Sequence, residues 1–266
     1  MSPELHITND QHVRTIQLNR PQKKNALSQT LAWNLVRAID QAAADDDVWV
    51  LAITGSGDAF CSGLDLTPDG NEPDSGISSE RQSLMEDLGW VGHLPLAIRE
   101  RCDKPVVAGL NGVAAGAGLA IAMACDIRLA AQSAWLFPGY SRIGGSPDGG
   151  LSYTLPQAIG YERAIRFLLE NRRVNAHDAF TLGLIGEVVP DDQFQVRLNE
   201  YCLELTTISP TAAALTKRVV RQATKIDLEA QAHYELQSIN KAFTTQDAKE
   251  SRAAFLEHRQ PNITGH

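Results

Sequence analysis

"KPVVAGLNGVAAGAGLAIAMACDIRLAA", Lys104 to Ala131, is the stretch whose reading decides the fold. The run "PVVAGLNG" (105–112) is apolar, too short for a helix and closed by Asn-Gly, so it reads as a buried strand. "AGAGLAIAMA" (115–124) has no breaker after its glycines and reads as a short helix, and "DIRLAA" (126–131) as another strand. Strand, helix and strand thus follow one another with almost no connecting chain, the pattern of a layered α/β protein.

The same cycle extends toward the amino terminus. "HVRTIQLNRP" (12–21) alternates apolar and polar residues and stops at a proline, as a half-exposed strand does. Residues 28–47 place Leu31, Leu35, Ile39 and Ala42 on one helical face behind a capping serine, Ser28, and "VWVLAITG" (48–55) is a second strand. The polar, glycine-rich segment 67–80 reads as a loop leading into a helix that reaches Arg101. Beyond Pro190 every segment has helical periodicity. The expected organisation is a strand-and-helix core over 1–205 followed by a helical region over 206–266, without tandem repeats.

Composition narrows the class. The chain has 266 residues, 43% of them hydrophobic and 21% charged, with a formal net charge of -8. This suits a globular protein with a sizeable core and argues against nucleic acid as a partner, which requires a basic face. The amino-terminal residues do not have the pattern of a leader, and no apolar run reaches the roughly 20 residues that span a bilayer, so the expectation is a cytoplasmic protein without membrane contact. Cys61, Cys102, Cys125 and Cys202 are widely spaced and the seven histidines scattered, so buried thiols are expected and no metal site.

Two stretches carry strands into glycines: "AITGSGDAFCSGLDL" (52–66) and "VVAGLNGVAAGAGLAIA" (106–122). At the helix start over Ala115–Gly118, unpaired amides backed by the helix dipole can face a ligand oxygen. An amide from the Ser62-Gly63-Leu64 turn would complete an oxyanion hole for an enolate. A third stretch, "RIGGSPDGG" (142–150), holds Asp148 in a Pro-Asp-Gly turn, where it serves as a turn residue or as a reagent.

Taken in order, "LNRPQKKNALS" (18–28), "ITGSGDAFCSGLDL" (53–66), the 104–131 segment, the "PDGG" turn (147–150) and "AAFLEHRQP" (253–261) resemble the crotonase superfamily of acyl-CoA enzymes, the enoyl-CoA hydratases and isomerases. The resemblance implies a ββα superhelix with a carboxyl-terminal helical region that packs subunits into trimers or pairs of trimers. It implies an acyl-CoA substrate, whose coenzyme A is no separate cofactor, and oxyanion amides on Leu64 and Ala117. It further assigns Lys24 and Ala26 of "KKNAL", with Ser62 and Asp65 near the first amide, to CoA contacts, and Phe255 to the adenine, sometimes from a neighbouring subunit.

The two glutamates of family hydratases fall on Ala120 and Gly139, which disfavours ordinary hydration. Asp148 coincides with the working carboxylate of several isomerases. In an apolar pocket of Leu64, Phe137 and Ile143, desolvation would make it a better base. The leading expectation is therefore proton transfer by one aspartate. The chain also resembles 4-chlorobenzoyl-CoA dehalogenases, in which this aspartate attacks the ring and a histidine, here His93, activates water. In that comparison Leu64 replaces an aromatic residue and Tyr140 a tryptophan. Hydration ranks third, and a non-catalytic CoA-binding or assembly module is the alternative from another class.

Overall fold

The computed structural model describes residues 4–67 and 85–266. Apart from Thr67, the loop expected over 67–80 lies outside the described residues. The first two strands, β1 (Leu5–Asp10) and β2 (Val13–Leu18), pair antiparallel through Gln11 and His12, both at positive φ. From β2 onward one sheet grows by parallel pairing: β3 (Val50–Gly55) is followed by β5 (Val106–Leu110), β7 (Ile127–Ala131) and β10 (Glu187–Val189). Every residue of β3 and β5 is buried, as strands covered on both faces must be. A second, smaller sheet is made of β4 (Ala59–Cys61), β6 (Val113–Ala115), β8 (Trp135–Phe137) and β9 (Val174–Asn175).

The chain alternates between the sheets. β3 and β4 precede helix α2 (Gly89–Leu96), β5 and β6 precede α3 (Ala117–Ala124), and β7 and β8 precede α4 (Leu151–Ile159), each a ββα turn of a spiral. The helix expected over 115–124 therefore starts at Ala117, because Val113–Ala115 is used as a strand. Helix α1 (Gln29–Ala44) comes earlier, where the Ser28 hydroxyl accepts the Leu31 amide at 3.1 Å. Its last carbonyls are taken by the Lys104 ammonium, which donates to Ala42 and Asp45. Helix α5 (Tyr161–Glu170), α6 (Ala176–Leu182) and, after β10, α7 (Phe194–Thr206), α8 (Pro210–Gln222), α9 (Leu228–Ala242) and α10 (Gln246–Leu256) complete the chain. The four cysteines are free and buried.

The helix expected to reach Arg101 does so by widening into one π-type turn, Ala97–Arg101. The carbonyls this frees are gripped from α8: Lys217 donates to Ile98, and Arg221 to Arg99 and Glu100. The basic residues of the helical region thus anchor the end of α2.

Between the sheets the chain is locked by Asn25, fully buried and at φ 56°. Its side-chain amide donates to the carbonyls of Ser56 (2.9 Å) and Ala59 (2.7 Å), and its oxygen accepts the Arg20 amide (2.9 Å). The Arg20 guanidinium donates to the Ala26 carbonyl at 2.6 Å and to Asp65 at 2.9 Å. Asp65 also accepts the amide and hydroxyl of Thr67. Thr67, and then Arg20, hold the Asp65 carboxyl down to about 2 against burial, which pushes it up. Asp65 therefore departs from its expected CoA contact: with 3% exposure and these donors in place it braces the 20–27 segment from inside.

Asn25→Ala would take the Asn25 partner from the half-buried Ser56 carbonyl and Arg20 amide and leave the buried Ala59 carbonyl with Asn111 alone, an expected cost of about 3 kcal/mol. Calorimetry is expected to show a melting temperature roughly 6 to 12 °C lower. Because folding depresses the Asp65 carboxyl, its contribution is complete above its unfolded value near 3.9 and is lost as pH falls through about 2. The stability gap between the native protein and Asp65→Asn, followed by denaturant titration at several pH values, should close over that window.

Candidate active site

Two main-chain amides are left free side by side. Leu64 forms a parallel bridge with Leu27, in which Leu27 N–H donates to Gly63 (2.8 Å) and Asp65 N–H to Leu27 (2.9 Å). That pairing uses the groups flanking Leu64, so its own N–H points to the opposite side and has no partner among the described residues. At the start of α3, Gly116 takes φ 51° and ψ -122°, donates to Phe137 at 3.1 Å and turns the chain so that Ala117 opens the helix. The Ala117 amide is one of the helix's unpaired donors.

Glycines bring the two together. A Cβ on Gly63 would lie 2.9 Å from the Ala115 carbonyl oxygen and 3.5 Å from the Ala117 nitrogen, and one on Gly118 only 2.2 Å from the Cys61 carbonyl oxygen. The segments carrying the amides therefore touch backbone to backbone, with the α3 dipole behind them.

Asp148 is fastened to the same place. Its carbonyl accepts the Leu151 amide at the start of α4, and its turn lies against two helices. A Cβ on Gly149 would come within 2.9 Å of the Ala120 methyl of α3, and one on Gly150 within 3.1 Å of Pro95 of α2. Its carboxylate oxygen Oδ1 accepts the Tyr140 hydroxyl at 2.8 Å. A cavity of about 10 Å³, room for one water, remains between α2, Ala117, Ala120 and Gly149. The apolar enclosure expected around Asp148 is not formed by the three residues named for it. Asp148 is exposed, as are Leu64 (43%) and Ile143 (61%), while Phe137 packs beside Gly139 and under the Arg142 guanidinium.

His93 is not brought to Asp148. On α2, Val91 and Pro95 face Gly149 and Gly150, and a residue two positions from each lies on the other side of the helix. There the His93 ring packs against Trp33 of α1, and its Nε2 lies 2.9 Å from a Glu86 oxygen. The other Glu86 oxygen accepts the amides of Leu88 and Gly89, so the histidine steadies a cap at the start of α2.

The positions expected to meet CoA form a ridge beside Leu64. Ser62 N–H donates to the Lys24 carbonyl at 3.0 Å and its hydroxyl to Lys23 at 3.3 Å, so 23–27 and 62–65 run alongside each other. Ala26 is buried. The Lys24 side chain is half exposed, in an ion pair with Asp58. Phe255 stands apart: it is 79% exposed beside a groove of about 590 Å³ lined by Ile208, Ala212, Phe243 and Leu256, with no residue of the 20–65 segment among its walls. Tyr140 was read from the sequence only as standing where the dehalogenases carry a tryptophan, and its contact with Asp148 closes across a turn that nothing local announces; Asn25 was not singled out at all. The Asn25 signal was no more than asparagine's tolerance of positive φ.

The family model for enoyl-CoA hydratase/isomerase matches residues 8–266. The 1,2-epoxyphenylacetyl-CoA isomerase of Escherichia coli (strain K12) is 33% identical over 259 residues, 95% of either chain. The 4-chlorobenzoyl coenzyme A dehalogenase-2 of an Arthrobacter species is 32% identical over 227 residues, 85% of this chain and 81% of that one. A crystal structure of an enoyl-CoA hydratase from Bacillus anthracis superposes with a TM-score of 0.86 at 29% identity, covering 99% of this chain and 100% of the other. The spiral of ββα turns, the paired free amides and this match over nearly the whole length agree: the chain belongs to the enoyl-CoA hydratase/isomerase family and has the crotonase fold.

Proposed function

We propose that the protein is an acyl-CoA isomerase in which Asp148 moves a proton from one carbon of the acyl group to another. The observation that carries this reading is the placement of a single carboxylate, Asp148, on the turn packed against α3, the helix that begins with the free Ala117 amide. Positions 120 and 139, where family hydratases carry glutamates, hold alanine and glycine.

In this mechanism the thioester oxygen accepts hydrogen bonds from Leu64 and Ala117. Asp148 removes a proton from the α or γ carbon, and the electron pair left behind delocalises onto the thioester oxygen as a dienolate. The same carboxyl returns its proton at the other end of the conjugated system. One proton changes carbon, the double bond shifts and nothing is oxidised. Each amide is worth about 3 to 4 kcal/mol to such a transition state, judged from oxyanion holes elsewhere. The similarity to an isomerase of an aryl acyl-CoA supports this class. The dehalogenase reading loses support, because its water-activating histidine would be His93, which Glu86 and Trp33 hold on the far side of α2.

CoA is placed along Lys24, Ala26 and Ser62. Phe255 would contact adenine from a neighbouring subunit, consistent with its distance from that ridge in its own chain. The exposed apolar residues Leu236, Phe243 and Leu256 of α9 and α10 and the turn between them supply a surface for a homotrimer or pair of trimers.

The test is turnover of a panel of 3-enoyl-, 2-enoyl- and 4-halobenzoyl-CoA thioesters by the native protein and by Asp148→Asn. Double-bond migration in the native protein, reduced about 100-fold or more in the variant, is expected. Isomerase activity that survives in Asp148→Asn, or halide release, would overturn the reading. His93→Gln is expected to keep kcat within about threefold and to lower the melting temperature by a few degrees, since it loosens a helix cap.

A further inference from the structure

We propose that Tyr140 is the positioning residue of this site: its hydroxyl engages Oδ1 of Asp148, holds the carboxylate in one orientation and leaves Oδ2 as the oxygen that exchanges the proton. The inference rests on Asp148 being the proton-transfer group.

The 2.8 Å hydrogen bond has one sense, because an ionised carboxylate only accepts. Tyr140 is 8% exposed, and burial first, then the neighbouring Asp148 carboxylate, push its phenol well above the ordinary range, so it keeps its proton and remains a donor. Among the described residues Oδ2 has no hydrogen-bond partner. Asp148 is otherwise an exposed side chain on a glycine-rich turn, so without the phenol its rotation is opposed by little.

Tyr140 is itself held. It begins the short turn Tyr140–Ile143, its carbonyl accepts the Gly145 amide at 2.9 Å, and the preceding Gly139 donates its amide to the Asn171 side chain at 2.8 Å. Asn171 ends α5 at φ 52°. A line of contacts therefore runs from α5 through Asn171 and Gly139 to Tyr140 and Asp148. The other elements packed on the Asp148 turn bring no titratable group to those contacts: α2 presents Val91 and Pro95, and α3 presents Ala120. Arg142, on the same turn as Tyr140, lies over the Phe137 ring at 4.9 Å.

A neutral donor on a carboxylate favours the ionised form. Removing it should cost orientation, seen in kcat, and should move the acidic limb of kcat/KM to higher pH. The experiment uses the full-length protein and the 3-enoyl-CoA thioester it turns over, comparing Tyr140→Phe with 3-fluorotyrosine placed at position 140. Tyr140→Phe is expected to lower kcat about tenfold or more with KM nearly constant, and to raise the acidic limb. Fluorotyrosine has nearly the shape of tyrosine but is a stronger donor, and should lower that limb. It decides the matter even if the phenylalanine variant does not fold. A limb that stays put with fluorotyrosine, or moves the same way in both proteins, would overturn the proposal. If Asp148→Asn retains activity, the reading of Asp148 itself has failed. If that variant is inactive and the limb does not respond to residue 140, only the role of Tyr140 has failed.

Discussion

Backbone-to-backbone contact at Gly63 and Gly118 is the constraint on which the rest of the site depends. Any Cβ at Gly118 would sit 2.2 Å from the Cys61 carbonyl oxygen, and one at Gly63 would press on the Ala115 carbonyl oxygen at 2.9 Å. Only with those atoms missing can the β4 edge lie against the first turn of α3. Only then do the amides of Leu64 and Ala117, from segments far apart in the chain, come near enough to serve the one thioester oxygen of the proposed mechanism. The ββα spiral supplies the geometry by placing a strand of each sheet ahead of every helix. The Asn25–Arg20–Asp65 cluster fixes the segment that pairs with Leu64. The proposed oxyanion hole is thus made of main chain, held by buried polar contacts and paid for by glycine.

The same economy of atoms governs the acidic group. Gly149 on Ala120 and Gly150 on Pro95 seat the Asp148 turn directly on α3 and α2. That seating sets the Asp148 turn on the helix that begins with the free Ala117 amide. With Asp148 as the one acid that the described residues offer on this turn, the proposed site suits proton transfer between carbons, whereas addition of water calls for a second group to activate it. The π-type turn after α2 extends the dependence into the helical region, because Lys217 and Arg221 of α8 hold its carbonyls.

Much of this was legible in the sequence, and the exceptions have physical causes. Buried runs such as 105–110, the Ser28-capped helix and the glycine pattern around both amides are local signals and read correctly. Strand β1 was missed because its residues are mostly exposed and its turn, Gln11-His12, lacks the Asn-Gly or Gly that marks a hairpin. His93 was assigned by its distance from Pro105, but spacing does not tell which side of α2 meets the Asp148 turn; the contacts of Val91 and Pro95 do. Asp65 looked like a ligand contact because a sequence does not distinguish a buried ion pair from a binding carboxylate until Arg20 is folded onto it. The pocket expected around Asp148 failed for a similar reason: Ile143 and Leu64 are apolar, yet they lie at the surface of the chain. Tyr140 belongs to the same class, since the seven residues 141–147 must close into a turn before its hydroxyl meets Asp148.

The central claim, that Asp148 carries a proton and never bonds to substrate carbon, is tested most directly by turnover in water enriched in both oxygen-18 and deuterium. Mass spectrometry would be read on the peptide containing Asp148 and on the product. The account predicts isomerised product with no heavy oxygen in the peptide, deuterium entering the acyl group only to the extent that the exposed Asp148 carboxyl exchanges with water before it returns the proton. Oxygen-18 in the Asp148 carboxyl, the mark of an ester opened by water, would contradict it.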